Sequence, residues 1–474
     1  MSHFGILSFP VTGHLHPLTA LGRELKRRDH RVTVFQVADI EPMVRSAGLA
    51  FHLIGEREFP LGSLRPLDQR LGRLRGMEAL GLIFKRFGCN SEMILRDAPQ
   101  AIRSESVDAL IVDQAEWAGG SVAEILQLPF ITAILTLPLH LEPNVPFCAF
   151  HEGVIGGFRQ RLQTAAGNLR VWAMAQKHRA KIHRQRAQWG LPPRVGWGAF
   201  DSDLAQLAQL PAAFDFPWRR LPACFHYTGP FCDDAGRAEV DFPWSRLDDS
   251  RPLVFVSMGT LQNGNQRIFH AVAEACASFP VQTVISLGGG LPPEQLGGLP
   301  GNPLVVHYAP QLQLLQRAAL TIFHGGLNTA LESLMHGVPM VAVPVTLDQP
   351  GVGARLVWTG TGTTIPAGKL TVERLRRAIS EVLTDRRYLV NARNLQRDIA
   401  FNSGARQAAD IIERALLQQS SVLSPNKDTF VAIKMGRRSG LSRTVRAGLA
   451  VRGRISKSAS NEHHGIFQAR SHLV

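Results

Sequence analysis

Two Rossmann-like α/β domains facing each other across a cleft are predicted for this chain of 474 residues. Three observations carry the prediction. Short β-branched apolar runs alternate with amphipathic helix patterns in both halves, which implies parallel sheets covered by helices. A Pro-, Gly- and Asp-rich stretch, Gly229 to Pro252, separates the two series. The length allows each half its own core, and 45% hydrophobic with 19% charged residues is ordinary for a globular protein.

The first series opens with "HFGILSF" (His3–Phe9), a buried strand. "PVTGHLHP" reads as a loop, with Pro17 at the first turn of a helix that aligns Leu18, Leu21 and Leu25 on one face. "RVTVFQV" (Arg31–Val37) closes a βαβ unit, so its sheet is parallel. Asp108–Asp113 and Pro129–Leu135 are later strands of the same sheet. The second series places strands at Leu253–Met258, Val281–Leu287, Leu304–Tyr308, Leu320–Phe323 and Met340–Val345. The expected division is 1–232 for the first domain, 233–251 for the linker and 252–404 for the second domain. An amphipathic helix over 405–420 and a tail over 421–474 follow.

The tail, Ser421 to Val474, holds 10 Lys/Arg and 2 Asp/Glu, a net of +8 out of the chain's +14. It is Ser-, Arg- and Gly-rich without an apolar period, so a disordered basic extension is expected. No apolar run approaches the roughly 18 residues that span a bilayer. The N-terminus lacks a basic region and a cleavage site of signal-peptide type. Five scattered cysteines without a CxxC pattern suit reduced thiols and a cytoplasmic location. Neither half shows G-x-G-x-x-G after its first strand or a G-x-x-x-x-G-K-[ST] loop, which argues against dinucleotide and P-loop chemistry. The basic charge lies in the tail and one helix, with no aromatic-rich basic motif, so no nucleic-acid partner is expected.

The informative stretch is "FHGGLNTALESLMHGVPMVAVPVTLDQ", Phe323 to Gln349. It reads as strand, glycine turn, helix, turn and strand. His324 follows the strand at the carboxyl edge of the sheet, where open α/β sheets place ligands. Gly325 and Gly326 let backbone N–H groups approach a ligand, and the helix begins near Leu327. A glycine turn into a helix N-terminus is an anion site. Asn328 and Glu332 stand at i and i+4 and share the face that meets the turn. Leu327, Leu331 and Leu334 fall on the core face. Gly337 is placed to end the helix. Phosphate followed by a sugar diol fits this pattern, Glu332 being the acceptor for two hydroxyls. Asp348 and Gln349 reach the same edge one strand later.

The segment resembles the donor-binding signature of the family 1 glycosyltransferases, the UDP-glycosyltransferase superfamily of GT-B fold. The resemblance begins at "YAPQ" (Tyr308–Gln311) and covers roughly Met1 to Gln419. It lies closest to the bacterial macrolide and carotenoid branch, and within that to zeaxanthin-type glucosyltransferases. It implies an inverting, metal-independent enzyme that moves a hexose, glucose by expectation, from a UDP-sugar co-substrate, with no cofactor. It implies that His324, Asn328 and Thr329 hold the diphosphate, with Gly326 in the turn. Glu332 takes the ribose, with Gln311 close by. Tyr308 stacks on uracil, where plant members carry Trp, and Ala309 adjoins it. Asp348 and Gln349 read sugar hydroxyls, and Gly259 and Thr260 of "SMGT" approach the β-phosphate.

"GHLHP" sets His14 and His16 at the ligand edge of the first sheet. They are i and i+2 with no third ligand at metal spacing, so a metal site is not expected. The resemblance makes His14 the general base, a role that suits an imidazole near operating pH. Such a base wants a carboxylate on its other nitrogen. Asp113 ends a strand at that edge and Glu116 is its rival; the resemblance selects Asp113. Met77–Met93 and Pro138–Trp197 are expected to wall the acceptor. The segment Phe158–Trp189 has eight Lys/Arg and no Asp/Glu, with apolar residues at helical spacing. It reads either as a packed surface helix or as one that meets an anionic membrane. The second reading suits a lipophilic small-molecule acceptor, such as a hydroxylated carotenoid, and a peripheral place on the inner membrane face. The alternatives are a soluble polyketide, macrolide or flavonoid acceptor, and a catalytically silent binding relative.

Overall fold

The computed structural model describes residues 1–150, 158–233, 237, 239–401 and 404–423. The expected basic tail lies, from residue 424 onward, outside the described residues, as does part of the linker.

Two parallel sheets form the frame. The first contains β1 (His3–Leu7), β2 (Arg31–Gln36), β3 (Ala50–Leu53), β4 (Ala109–Asp113), β5 (Phe130–Ile134), β6 (Gln206–Ala208) and β7 (Phe225–Tyr227), in the order β3-β2-β1-β4-β5-β6-β7. The second contains β8 (Leu253–Ser257), β9 (Gln282–Ser286), β10 (Leu304–Val306), β11 (Ala318–Phe323), β12 (Met340–Ala342) and β13 (Gly362–Thr364), in the order β10-β9-β8-β11-β12-β13. The registers are parallel throughout; Ile6 of β1, for example, pairs with Val34 on one side and Ile111 on the other. Both faces of these strands are covered, which is why they read as unbroken apolar runs instead of alternating ones.

In both sheets the chain leaves one edge and restarts beside the first strand. The order therefore reverses between β1 and β4, and again between β8 and β11. Crevices form at such reversals, outside the carboxyl ends of the strands. The predicted residues sit at these two places: His14 and Asp113 follow β1 and end β4, and Gly259 and His324 follow β8 and β11.

The nine strands read from sequence are present, with ends shifted by up to three residues. The other four, β3, β6, β7 and β13, are three or four residues long and lie at or next to a sheet edge. Runs that short carry no usable period. One expectation is corrected. "PVTGHLHP" is not a loop, because the helix begins at Thr12 and runs to Arg27, with Pro17 inside it. Val11 is extended and serves as the N-cap, so the helix starts one turn earlier than the proline suggested. Pro17 is accommodated because the one hydrogen bond it cannot make, to Gly13 four residues back, is supplied from elsewhere, as shown below.

The helix Leu327–Met335 forms where the spacing placed it, and Leu327, Leu331 and Leu334 are buried in the core. Gly337 ends it in the left-handed region (φ 68°), with its N–H and that of Val338 bonded back to Leu334 and Ser333. The last helix, Ala405–Leu423, packs on the first sheet's core through Ala408, Ala409 and Ile412. Arg28 fixes it there, bonded to Asp410 at 2.6 Å and Glu413 at 2.8 Å. Among the described residues no helix is long and apolar enough to cross a membrane.

Candidate active site

A cleft of about 2310 Å³ lies between the carboxyl ends of the two sheets. Every residue predicted for the site lines it except Asp113, which sits behind His14.

On the first sheet's side, His14 occupies the first turn of the helix Thr12–Arg27. Its Nδ1 lies 2.7 Å from Asp113 Oδ2. Asp113 ends β4 and is 1% exposed. Its carboxylate also accepts the N–H of Phe9 at 3.1 Å and of Ala115 at 2.9 Å, so three donors fix its plane. Asp113 caps no helix, since the next helix starts only at Gly119. An ionised Asp113 makes Nδ1 the protonated nitrogen and leaves Nε2 as the basic one. Burial disfavours the imidazolium, but the charge and hydrogen bond of Asp113, helped by Asp348, outweigh it and raise the His14 pKa above 6.5.

Glu116, the rival carboxylate, faces away from His14 in this arrangement. It is 1% exposed and takes hydrogen bonds from Asn90, from Ser91 at 2.8 Å and from the N–H of Ala118 at 3.0 Å. Burial pushes its pKa up to about 7, against those donors. His16, two residues on in the same helix, shares a pocket with Arg237 and Glu332; burial, then the Arg237 charge, lowers its pKa.

On the second sheet's side, His324 sits in a slot between Gly259 and Gly326. A Cβ on Gly259 would lie 2.6 Å from the ring, and one on Gly326 2.3 Å from it. Gly259 also has φ 73°, a backbone region that favours glycine. Burial, only partly offset by a hydrogen bond with the Ser257 backbone, lowers the His324 pKa to about 4, so the ring is neutral at pH 7. Gly326 is the N-cap of the helix that follows, whose first N–H groups face the cleft without helical partners. A neutral ring donor and a helix N-terminus together suit a diphosphate.

Glu332 is 6% exposed and accepts from Gln311 Nε2 and from Arg237 Nη2, each at 2.5 Å. The acceptor pair expected for a ribose is thus shared with a linker arginine. Tyr308 is 54% exposed at the cleft mouth, with its hydroxyl against Gly289. Asp348 is the N-cap of the helix Gln349–Thr359. Burial raises its pKa, partly offset by the His14 charge, and both groups line the cleft. The Gln349 amide is already engaged: Oε1 accepts from Val345 N at 2.8 Å and Thr346 N at 3.0 Å, and Nε2 donates to Gln262 at 2.7 Å.

Four partners escaped the sequence reading. Gln262 holds Gln349, and Asn263 donates to the carbonyls of Gly259 and Gly288 at 2.9 and 2.8 Å, joining two glycine loops. Both sit in "GTLQNG" directly after the predicted glycine loop, which was the available signal. Arg237 and Gln209, which donates to Asn328 at 2.8 Å, lie far from any motif and carried none.

One wall of the cleft is apolar. Ile83, Phe84, Phe87, Trp117, Phe147 and Trp197 line it. The expected walls at Met77–Met93 and Pro138–Trp197 contribute, and so do residues between Ala38 and Arg73, which sequence did not suggest.

Two doubly wound parallel sheets with facing carboxyl edges, a His–Asp pair on one and a phosphate-type glycine turn on the other define a GT-B glycosyltransferase. A profile of the UDP-glucoronosyl and UDP-glucosyl transferase family matches residues 82–399, and the chain belongs to that family. It is similar to the zeaxanthin glucosyltransferase of Pantoea ananas, 34% identical over 429 residues, covering 90% of this chain and 98% of that one. It is also similar to the zeaxanthin glucosyltransferase of Pseudescherichia vulneris, 33% identical over 429 residues, covering 89% and 100%. Among solved structures, the calicheamicin glycosyltransferase CalG4 shares the fold with a TM-score of 0.68 at 22% identity, over 90% of this chain and 100% of that one.

Proposed function

We propose that this glycosyltransferase moves glucose from UDP-glucose to a hydroxyl of a lipophilic small molecule, a hydroxylated carotenoid being the class favoured. The observation that carries the reading is the His14–Asp113 pair, at 2.7 Å, facing a glycine-lined anion site across a cleft with an apolar wall. The likeness to two zeaxanthin glucosyltransferases supports the acceptor class.

In this mechanism Asp113 holds the Nδ1 proton of His14, and Nε2 takes the proton of the acceptor hydroxyl. The hydroxyl oxygen attacks the anomeric carbon as the bond from that carbon to the diphosphate oxygen breaks. One in-line displacement inverts the anomeric centre, and UDP leaves with the electron pair. His324 and the N–H groups of the helix Leu327–Met335 stabilise the charge that gathers on the diphosphate. Glu332 and Gln311 take the ribose hydroxyls, Tyr308 covers the base, and Asp348 with Gln349 orients the sugar. No divalent ion is required, because the neutral donors and the helix dipole meet the leaving group directly. A cytoplasmic enzyme at the inner face of the membrane would meet such an acceptor where it is dissolved.

The test is product analysis by mass spectrometry, with UDP-glucose and a panel of detergent-dispersed carotenoid diols and soluble polyketides and flavonoids. Glucosylation of a carotenoid diol, with an inverted anomeric centre, is the expected result. Transfer to the soluble acceptors alone would move the assignment to them.

A further inference from the structure

The helix Phe158–Gln188 has two apolar faces. The inner one is buried through Val171, Ala175 and Ile182. It backs the apolar wall of the cleft: Val171 belongs to the same buried cluster as Phe147, Phe84 packs against that cluster, and the His178 ring stacks on Trp117 at 4.9 Å and 3°. The outer face exposes Leu162 by 62%, Leu169 by 64% and Trp172 by 50%. At about 100° per residue these three fall within an arc of about 80°. Cations flank the arc: exposed Arg161 lies to one side, and exposed Arg170, Lys177 and Arg184 to the other. No acidic residue occurs in the helix, and these four cations enter no ion pair among the described residues. A helix that merely packs on its domain has reason to keep its inner face apolar and none to keep a second stripe in water.

We infer that the outer face of this helix docks on an anionic lipid surface, so that one helix joins the membrane to the wall of the acceptor chamber. Leu162, Leu169 and Trp172 enter the region between headgroups and acyl chains, and the flanking cations meet lipid phosphates. The inference rests on the lipophilic-acceptor reading, for which it supplies the route by which an acceptor dissolved in a bilayer reaches the cleft.

The experiment is co-sedimentation of the full-length protein with phosphatidylglycerol-containing vesicles, without donor or acceptor. Neutral phosphatidylcholine vesicles and a salt series serve as controls. Parent protein should bind the anionic vesicles and release with salt. Leu169→Gln combined with Trp172→Gln should weaken binding by about tenfold or more, since each buries a large side chain in the lipid. Neutralising Arg170, Lys177 and Arg184 to Gln should cost roughly fivefold for each that meets the leaflet. Brominated lipid should quench parent fluorescence, and Trp172→Phe should remove most of that quenching while the protein stays bound. The replaced side chains are exposed, so turnover on a detergent-dispersed acceptor reports that the fold is intact. Vesicle binding by the stripe variant equal to the parent would overturn the inference, leaving any affinity to the common tail. A monomer–dimer shift in the stripe variant without loss of vesicle binding would overturn it too, by assigning the face to a second copy. If no lipophilic acceptor is glucosylated, the vesicle result still stands or falls by itself.

Discussion

Asn328 donates from Nδ2 to the carbonyl of Gly13 at 2.7 Å, from one half of the molecule to the other. The acceptor is available because Pro17, four residues on, has no N–H to give it. The Oδ1 of the same amide accepts from Gln209, also in the first half, at 2.8 Å. One side chain at the start of the helix Leu327–Met335 therefore holds the helix that carries His14.

Asn328→Ala should loosen this closure. Each of the two bonds contributes about 1 kcal/mol net, so a fall in kcat/KM for the donor of up to about 30-fold is expected. Small-angle scattering should show a larger radius of gyration for the variant. An unchanged radius together with unchanged kinetics would show that the contact has no bearing on closure.

Asp113→Asn offers a pH signature. The parent's His14 pKa lies above 6.5, because Asp113 and Asp348 outweigh burial. The base works only when neutral, so kcat/KM should rise with pH through that raised value. Removing the Asp113 charge lets burial dominate and lowers the His14 pKa. The acid limb should then shift to lower pH while the plateau falls, since the tautomer is no longer enforced. A limb that stays in place would mean that His14 does not set it.

Glu332→Ala and His324→Ala should each weaken UDP binding in calorimetry. A hydrogen bond to a charged group contributes roughly 1.5–3 kcal/mol, or about 10- to 150-fold in Kd for Glu332. His324 is neutral, and its loss should cost less. If both variants bind UDP as the parent does, the nucleotide lies elsewhere.

Transfer should persist in excess EDTA, because His324 and the helix N-terminus act on the leaving diphosphate themselves. Loss of activity that a divalent ion restores would overturn the metal-free mechanism.

Much of this is legible in the sequence alone. Buried parallel strands announce themselves by unbroken β-branched runs, and the glycine turn with Asn328 and Glu332 on one helix face is a local pattern. What stayed hidden depends on contacts distant in sequence. The start of the His14 helix was masked by Pro17, which reads as a first-turn residue unless one knows that Asn328 replaces its missing hydrogen bond. The commitment of Gln349 to Gln262 and of Glu332 to Arg237 joins residues from different loops, and no spacing rule connects them. The two-faced character of the helix Phe158–Gln188 needed burial, because its sequence shows only that apolar and basic residues alternate.

Removal of the acceptor proton by His14 is tested by the turnover of His14→Ala, measured beside its UDP affinity. A fall in kcat of about 10² or more, the scale of lost general-base catalysis, is expected, with the Kd for UDP within a few-fold of the parent. Turnover near that of the parent, in a variant that folds and binds UDP normally, would contradict it.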